Sequence, residues 1–332
     1  MKQILVMMIV VVLVGCVEDT RKAVPIPPAS KNIIADNIVD KAIRKELGKP
    51  ISGLTNADLA KVTYLDLSNT KITEEGLKEL AKLQNLTALR LERNQITDAG
   101  LKEVVKLQSL ETLSLGATEI TDVGLVEVAK LQKLEGLALG NTQITDAGLK
   151  EVGKLQKLER LDLRYTQITD EGFKEVAKLQ QFTSLNLVRT QITDVGLKEV
   201  AKMQQLEKLY LYGTKVTDAG LKDVAKLQML QELDLTSTQI TDAGLKNVAK
   251  LQKLEQLLLS DTKITDAGLK DVAKLQKLQR LFLQDTKITD AGLKDVAKLQ
   301  RLERLYLAKS KCTKAGTAEL KKALPNCKFY GP

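Results

Sequence analysis

The sequence predicts an α/β solenoid, in which short strands and helices alternate in coils stacked along one axis. Three observations predict it. The stretch DTKITDAGLKDVAKLQ runs from Asp261 to Gln276 and recurs, letter for letter, from Asp285 to Gln300. A strict period of 24 residues starts at Val62 and is anchored on Ile-Thr-Asp. Within each period, the apolar spacing changes from that of a strand to that of a helix. A unit this small cannot bury its apolar face alone, so it must stack on copies of itself.

The chain begins MKQILVMMIVVVLVGC. A short basic start precedes an apolar run from Ile4 to Val14. A bilayer span needs about 20 apolar residues, so this run fits the apolar region of a secretory signal instead. Its end, Leu13-Val14-Gly15-Cys16, resembles a bacterial lipobox. That resemblance implies cleavage before Cys16 and a diacylglycerol on its sulfur, with residues 1–15 removed as the signal peptide. A signal anchor with an incidental Cys is the alternative. Residue Val17 is not the Asp that in lipoproteins often retains the protein at the inner membrane. An outer-membrane or outward-facing destination is therefore expected. Residues 16–31 follow as a polar, Pro-rich tether.

Residues 32–61 read as a helical N-terminal cap. In ADNIVDKAIRKELGKP, Asp36 is the N-cap and Gly48 with Pro50 ends the helix. Ile38, Val39, Ala42, Ile43 and Leu47 form its apolar face. With LTNADLAKVTYLDLS after it, the segment is similar to the N-terminal cap of bacterial internalin-type repeat proteins.

The repeats fill residues 62–310. Their pattern is L-x-x-L-x-L-x-x-T-x-I-T-D-x-G-L-K-x-V-A-K-L-Q-x, and eleven units start at 62, 86, 110 and so on to 302. Residues at positions 4 and 6, such as Leu233 and Leu235, share one face of a strand. Those at 16, 19, 20 and 22, such as Leu245, Val248, Ala249 and Leu251, share one face of a helix. Asp at position 13 is expected to cap that helix. Gly at position 15, from Gly76 to Gly316, is expected to let neighbouring coils approach closely. Residues 311–332 hold the degenerate end of the last repeat and a C-terminal cap, which an open solenoid end requires.

This pattern resembles the leucine-rich repeat family. Thr mostly replaces the family's Asn at position 9, and Asn94 keeps it. Thr donates a single hydrogen bond, so a weaker ladder between coils is expected. The Ile-Thr-Asp-x-Gly-Leu tail resembles the ribonuclease-inhibitor-like and cysteine-containing classes. The resemblance implies a horseshoe with a parallel sheet on the concave side and helices on the convex side. Leucine-rich repeats of ubiquitin-ligase adaptors look similar, but the export signal argues against that role.

Composition narrows the chemistry. The chain has 332 residues, no His and no Trp, and a formal charge of +9. Loss of residues 1–15, whose only charge is Lys2, would leave +8. Without His there is no Ser-His-Asp or Cys-His arrangement and no imidazole metal site. Carboxylate pairs could still move protons, but nothing points to an enzyme. No cofactor is expected. The Asp row at position 13 could suggest a calcium rail, yet helix capping accounts for each residue without a metal. Lys on the helices alternates with Glu or Asp three residues away, as in Glu103–Lys106 and Asp271–Lys274, which reads as a solvated face. Nucleic acid is not expected as a partner of an exported protein.

The repeats differ from one another at positions 3, 5, 7 and 8, which in this family line the concave sheet. Seven of ten Arg fall there, with five of six Tyr and only two of 41 Lys. Arg and Tyr dominate binding hot spots, while Lys is depleted at interfaces. Two clusters are candidate ligand-binding sites. One joins Arg160, Asp162, Arg164, Tyr165, Asn186, Arg189, Tyr210 and Tyr212. The other aligns Leu258, Phe282 and Tyr306 at position 5, flanked by Arg280 and Arg304. The expected ligand is a protein, with a glycan or cell-wall polymer as the alternative, and the membrane is reached through the lipid. The alternatives are drift at unconstrained positions, or Phe and Tyr that merely cover their own sheet. Cys312 and Cys327 either pair in an oxidising compartment or stay as buried thiols.

Overall fold

The computed structural model describes residues 33–49 and 53–331. Cys16, the signal peptide and the tether lie outside the described residues.

Twelve strands form one parallel sheet in chain order. They are β1 (Tyr64–Asp66), β2 (Ala88–Arg90), β3 (Thr112–Ser114), β4 (Gly136–Ala138), β5 (Arg160–Asp162), β6 (Ser184–Asn186), β7 (Lys208–Tyr210), β8 (Glu232–Asp234), β9 (Gln256–Leu258), β10 (Arg280–Phe282), β11 (Arg304–Tyr306) and β12 (Lys328–Tyr330). Each pairs with the next 24 residues on, Leu facing Leu, as in Leu209, Leu233 and Leu257. The N-terminal helices are α1 (Asn37–Leu47) and α2 (Asn56–Leu59). A helix follows each strand from β1 to β11, from α3 (Glu74–Leu80) to α12 (Asp290–Val296) and α13 (Lys314–Ala323). The expected α/β leucine-rich repeat solenoid is the fold observed.

One coil shows what holds it together. Leu230, Leu233, Leu235, Ile240, Leu245, Val248 and Leu251 are all within 1% of complete burial. Each such side chain contributes roughly 1.5–3 kcal/mol relative to exposure. Phe173 and Phe182 occupy the same kind of site and are fully buried. At the N-terminus the capping helix forms as read. Asp36 accepts from the Ile38 and Val39 N–H groups, and Gly48 closes the helix at φ 62°.

The joint between coils corrects the capping assignment. Thr at position 12, not Asp at position 13, is the N-cap. Thr265 has extended φ/ψ and its hydroxyl accepts from the Ala267 N–H, while Asp266 is already the first helical residue. The freed carboxylate reaches the next coil. Asp242 Oδ1 accepts from the Thr265 N–H at 2.7 Å, and Oδ2 from the Thr265 hydroxyl at 2.6 Å. The same pair of bonds recurs from Asp98–Thr121 to Asp290–Thr313. Gly at position 15 makes room for it. A Cβ on Gly268 would lie 2.5 Å from Asp242 Oδ1 and 2.6 Å from Leu245 Cδ1.

Position 9 behaves as its chemistry dictates. Asn94 bridges coils, donating to the Leu67 carbonyl at 2.8 Å and accepting from the Thr70 and Lys71 N–H groups. Thr118 donates only within its own coil, to the Leu115 carbonyl at 2.6 Å. In most repeats with Thr, the N–H at position 10 donates instead to the preceding coil's position-11 carbonyl, as Lys263 does to Ile240. Gln at position 23 closes most of the repeat helices. Gln276 Nε2, for example, donates to the Ala273 carbonyl at 2.6 Å.

Candidate functional site

Positions 3 and 5 flank the buried Leu of each strand, so their side chains stand on the concave face. Positions 7 and 8 carry the chain off the sheet. Position 8 is left-handed in all eleven repeats, with φ from 51° to 67° between Asn69 and Lys309. Gly213 and the Asn and Asp residues there suit that backbone. Arg93, Ala117, Tyr165, Arg189, Ser237 and Lys309 do not, yet they occupy it at φ between 51° and 60°.

The first predicted cluster forms in part. Register places Asp162, Asn186 and Tyr210 on adjacent strands. Asp162 and Asn186 have local duties, since each accepts the backbone N–H two residues on, from Arg164 and Val188. Burial raises the Asp162 carboxyl above its ordinary range, against the opposing pull of the Arg164 N–H and guanidinium. Arg164 Nε lies 3.3 Å from Asp162. Arg160 lies 3.5 Å from Glu159 and 3.9 Å from Glu135. Arg189 donates to the Tyr212 hydroxyl at 2.7 Å and its guanidinium sits 5.0 Å from that ring's centre. Tyr210 donates to Glu232 Oε2 at 2.6 Å, and Lys208 meets the same carboxylate at 3.1 Å. Burial, then Glu232, push the Tyr210 phenol well above its usual range. Tyr165 is 51% exposed.

The second cluster forms as an aromatic stack. Phe282 and Tyr306 stack at 4.2 Å with 5° between planes. Tyr306 and Tyr330 continue the stack at 4.4 Å and 7°. Tyr330 was missed because it lies beyond the last recognisable repeat, where β12 pairs with β11. Arg280 and Arg304 flank the rings at position 3, followed by Lys328 in the same register.

Sequence reading also missed the hollows. Gly116, Ala117, Gly140 and Asn141 floor one of about 440 Å³, walled by Glu92, Arg93, Arg164 and Tyr165. A second, of about 290 Å³, lies over Ser114, Gly136 and Ala138 beside Arg160 and Tyr210. The signal was a run of small residues at concave positions of one repeat, Gly136, Ala138 and Gly140. A larger, apolar hollow of about 650 Å³ opens on the convex side between α12 and α13. There Thr317 and Ala323 stand where other repeats have Leu, so the last helix brings too little apolar volume.

Cys312 and Cys327 are buried free thiols in this structure. Their sulfurs point to different carbonyls, those of Ile288 and Lys328, each at 3.7 Å. Burial pushes the Cys327 thiol up to about 11. On the convex face, Lys106 meets Glu103 and Lys274 meets Asp271, both at 2.6 Å.

Solved structures with this architecture include an internalin, InlF, from Listeria monocytogenes. It has 23% identity and a TM-score of 0.61 over 90% of this chain and 95% of that one. The functional domain of InlJ from the same organism, which includes a cysteine ladder, has 21% identity and a TM-score of 0.60. The match spans 90% of this chain and 60% of that one. At such identities the likeness is one of fold. No curated protein matches the sequence. The model of the leucine-rich repeat matches residues 59–81, 82–105, 106–129, 154–177, 179–201, 226–249 and 250–273, together half of the chain. The chain belongs to the leucine-rich repeat family.

Proposed function

We propose that the protein is an exported bacterial lipoprotein, anchored through Cys16 at an outer membrane or cell surface, whose concave face binds another protein. The anchor rests on Leu13-Val14-Gly15-Cys16 alone. The observation that carries the binding reading is the backbone at position 8. A non-glycine residue in the left-handed region costs roughly 1–2 kcal/mol. Tyr165 bears that cost half-exposed, and while its backbone N–H donates to the Val188 carbonyl, its side chain makes no hydrogen bond among the described residues. A strained residue whose side chain its own fold leaves unbonded is well placed to contact a partner.

The rings favour a protein over a glycan. Sugars stack on open ring faces, but Phe282 and Tyr306 cover each other and Arg189 covers Tyr212. What remains exposed suits hydrogen bonds and apolar contact at an interface.

Crosslinking in native cells tests both parts. A photoreactive residue in place of Tyr165 should capture a protein, and one in place of Lys222 on the convex face should not. Tyr210→Ala, Arg164→Ala and Phe282→Ala should each weaken the captured complex about thirtyfold with circular dichroism unchanged. Cys16→Ser should abolish fatty-acid labelling. Unchanged labelling defeats the anchor. Capture from the convex face alone defeats the binding reading.

A further inference from the structure

We infer that the last four strands receive an acidic, apolar-faced segment of a partner protein. This rests on the reading of the concave face as a protein-binding surface.

Arg280, Arg304 and Lys328 stand in register on β10, β11 and β12. Neighbouring strands are about 4.8 Å apart, and like charges directly opposite repel. The molecule does little to offset this. Gln256 Oε1 accepts one bond from Arg280 Nη1 at 3.1 Å, and Arg280 Nε is buried without a partner. Among the described residues no carboxylate lies within ion-pair distance of these three cations. On the strands before them, Arg90, Arg160 and Lys208 each have one, as does Arg164, whereas Arg93, Arg189 and Lys309 at the turns do not. Three aligned, unneutralised cations at one end of the sheet ask for negative charge from outside.

The adjoining row sets the rest of the chemistry. Stacked face to face, Phe282, Tyr306 and Tyr330 turn their edges to the concave space, and ring edges carry the positive part of the quadrupole. They offer apolar area that tolerates nearby carboxylates. A sugar would find one open ring face, the outer side of Tyr330. Beyond the rings, Asp261 and Asp285 occupy position 8, and Asp261 accepts from the Ser237 hydroxyl at 2.7 Å. Lys309 follows them at the same position, so the surface is cationic before the rings and mixed after them. A fitting segment carries Asp or Glu along one edge and Leu, Ile or Phe on the face that meets the rings.

Selection of a random peptide library displayed on phage against the full chain in detergent tests this. Enriched peptides should combine Asp or Glu with large apolar residues. The double variant Arg304→Glu, Lys328→Glu should bind them about tenfold more weakly with circular dichroism unchanged. Tyr306→Ala should also weaken them. Enrichment without acidic residues, or binding indifferent to the double variant, overturns the inference. If those peptides are lost with Tyr210→Ala, protein binding by the concave face stands without this chemistry. If no peptide is enriched and polygalacturonate binds instead, both readings fall.

Discussion

Asp242→Ala isolates the joint between coils, and its cost can be worked from the structure. The substitution removes two bonds to a charged acceptor, at 2.7 and 2.6 Å. Such bonds are worth about 1.5–3 kcal/mol each, and the orphaned Thr265 N–H adds a desolvation cost if it stays buried. Because the site is part-buried, the lower end applies and the loss should be about 3 kcal/mol. Asp242→Asn should cost about 1 kcal/mol, because its carbonyl keeps the Thr265 N–H. Gly268→Ala should cost about 2–3 kcal/mol by overpacking, since its Cβ would meet both Asp242 Oδ1 and Leu245 Cδ1.

The double variant is the sharper measurement. Removing Asp242 removes one of the two clashes, so Asp242→Ala with Gly268→Ala should cost at least about 1 kcal/mol less than the sum. Urea denaturation followed by circular dichroism gives the energies. Hydrogen exchange places them, because the Thr265 amide should exchange faster while Thr289, held by Asp266 at 2.8 Å, serves as the control. Strictly additive energies, or an Asn variant as damaging as Ala, would refute the joint as described.

Two other predictions follow from buried ionisable groups. Hydrogen bonds from Lys49, at 2.6 Å, and from Thr55 hold the Asp58 carboxyl well below its ordinary range. A depressed folded value contributes stability that is present above the unfolded value near 3.8 and lost as pH falls through the folded one. Acid unfolding of the N-terminal cap, followed by hydrogen exchange of α1, should therefore steepen below about pH 4 in the wild type and not in Asp58→Asn. With its thiol pushed up to about 11 by burial, Cys327 should resist alkylation at pH 7.5 until denaturant is added. Rapid labelling of native protein would contradict its buried position.

The sheet, the helices, the Leu core and the capping helix were legible because each rests on spacing within one repeat. The coil joint was not. Thr265 and Asp266 are neighbours and both are good N-caps, so local chemistry could not choose between them. What decides is Asp242, 23 residues upstream, whose role is visible only once coils are stacked. The aromatic row was legible from register, but the turning of the rings onto each other was not. Tyr330 escaped because the repeat pattern had already failed. The hollows were not legible because small side chains make them, and small residues carry no binding signal of their own.

The same joint explains why drift alone is a poor account of the concave face. Asp at position 13, Thr at 12 and Gly at 15 meet across two coils, so a change in one is felt by two others. The concave positions have no such coupling, and variety there is what free drift would produce. Composition is the part drift leaves unexplained. Neutral change would draw on Lys as readily as on Arg, yet the concave positions hold seven Arg and two Lys in a chain with 41 Lys. And it would scatter charges rather than align Arg280, Arg304 and Lys328 on consecutive strands. The opposed cations cost the free protein something that contact with a partner would offset. Replacing all three aligned cations with Gln should therefore raise stability to urea by about 0.5–1 kcal/mol while weakening binding. A neutralised sheet that is less stable than wild type would mean that the row is held by the fold itself.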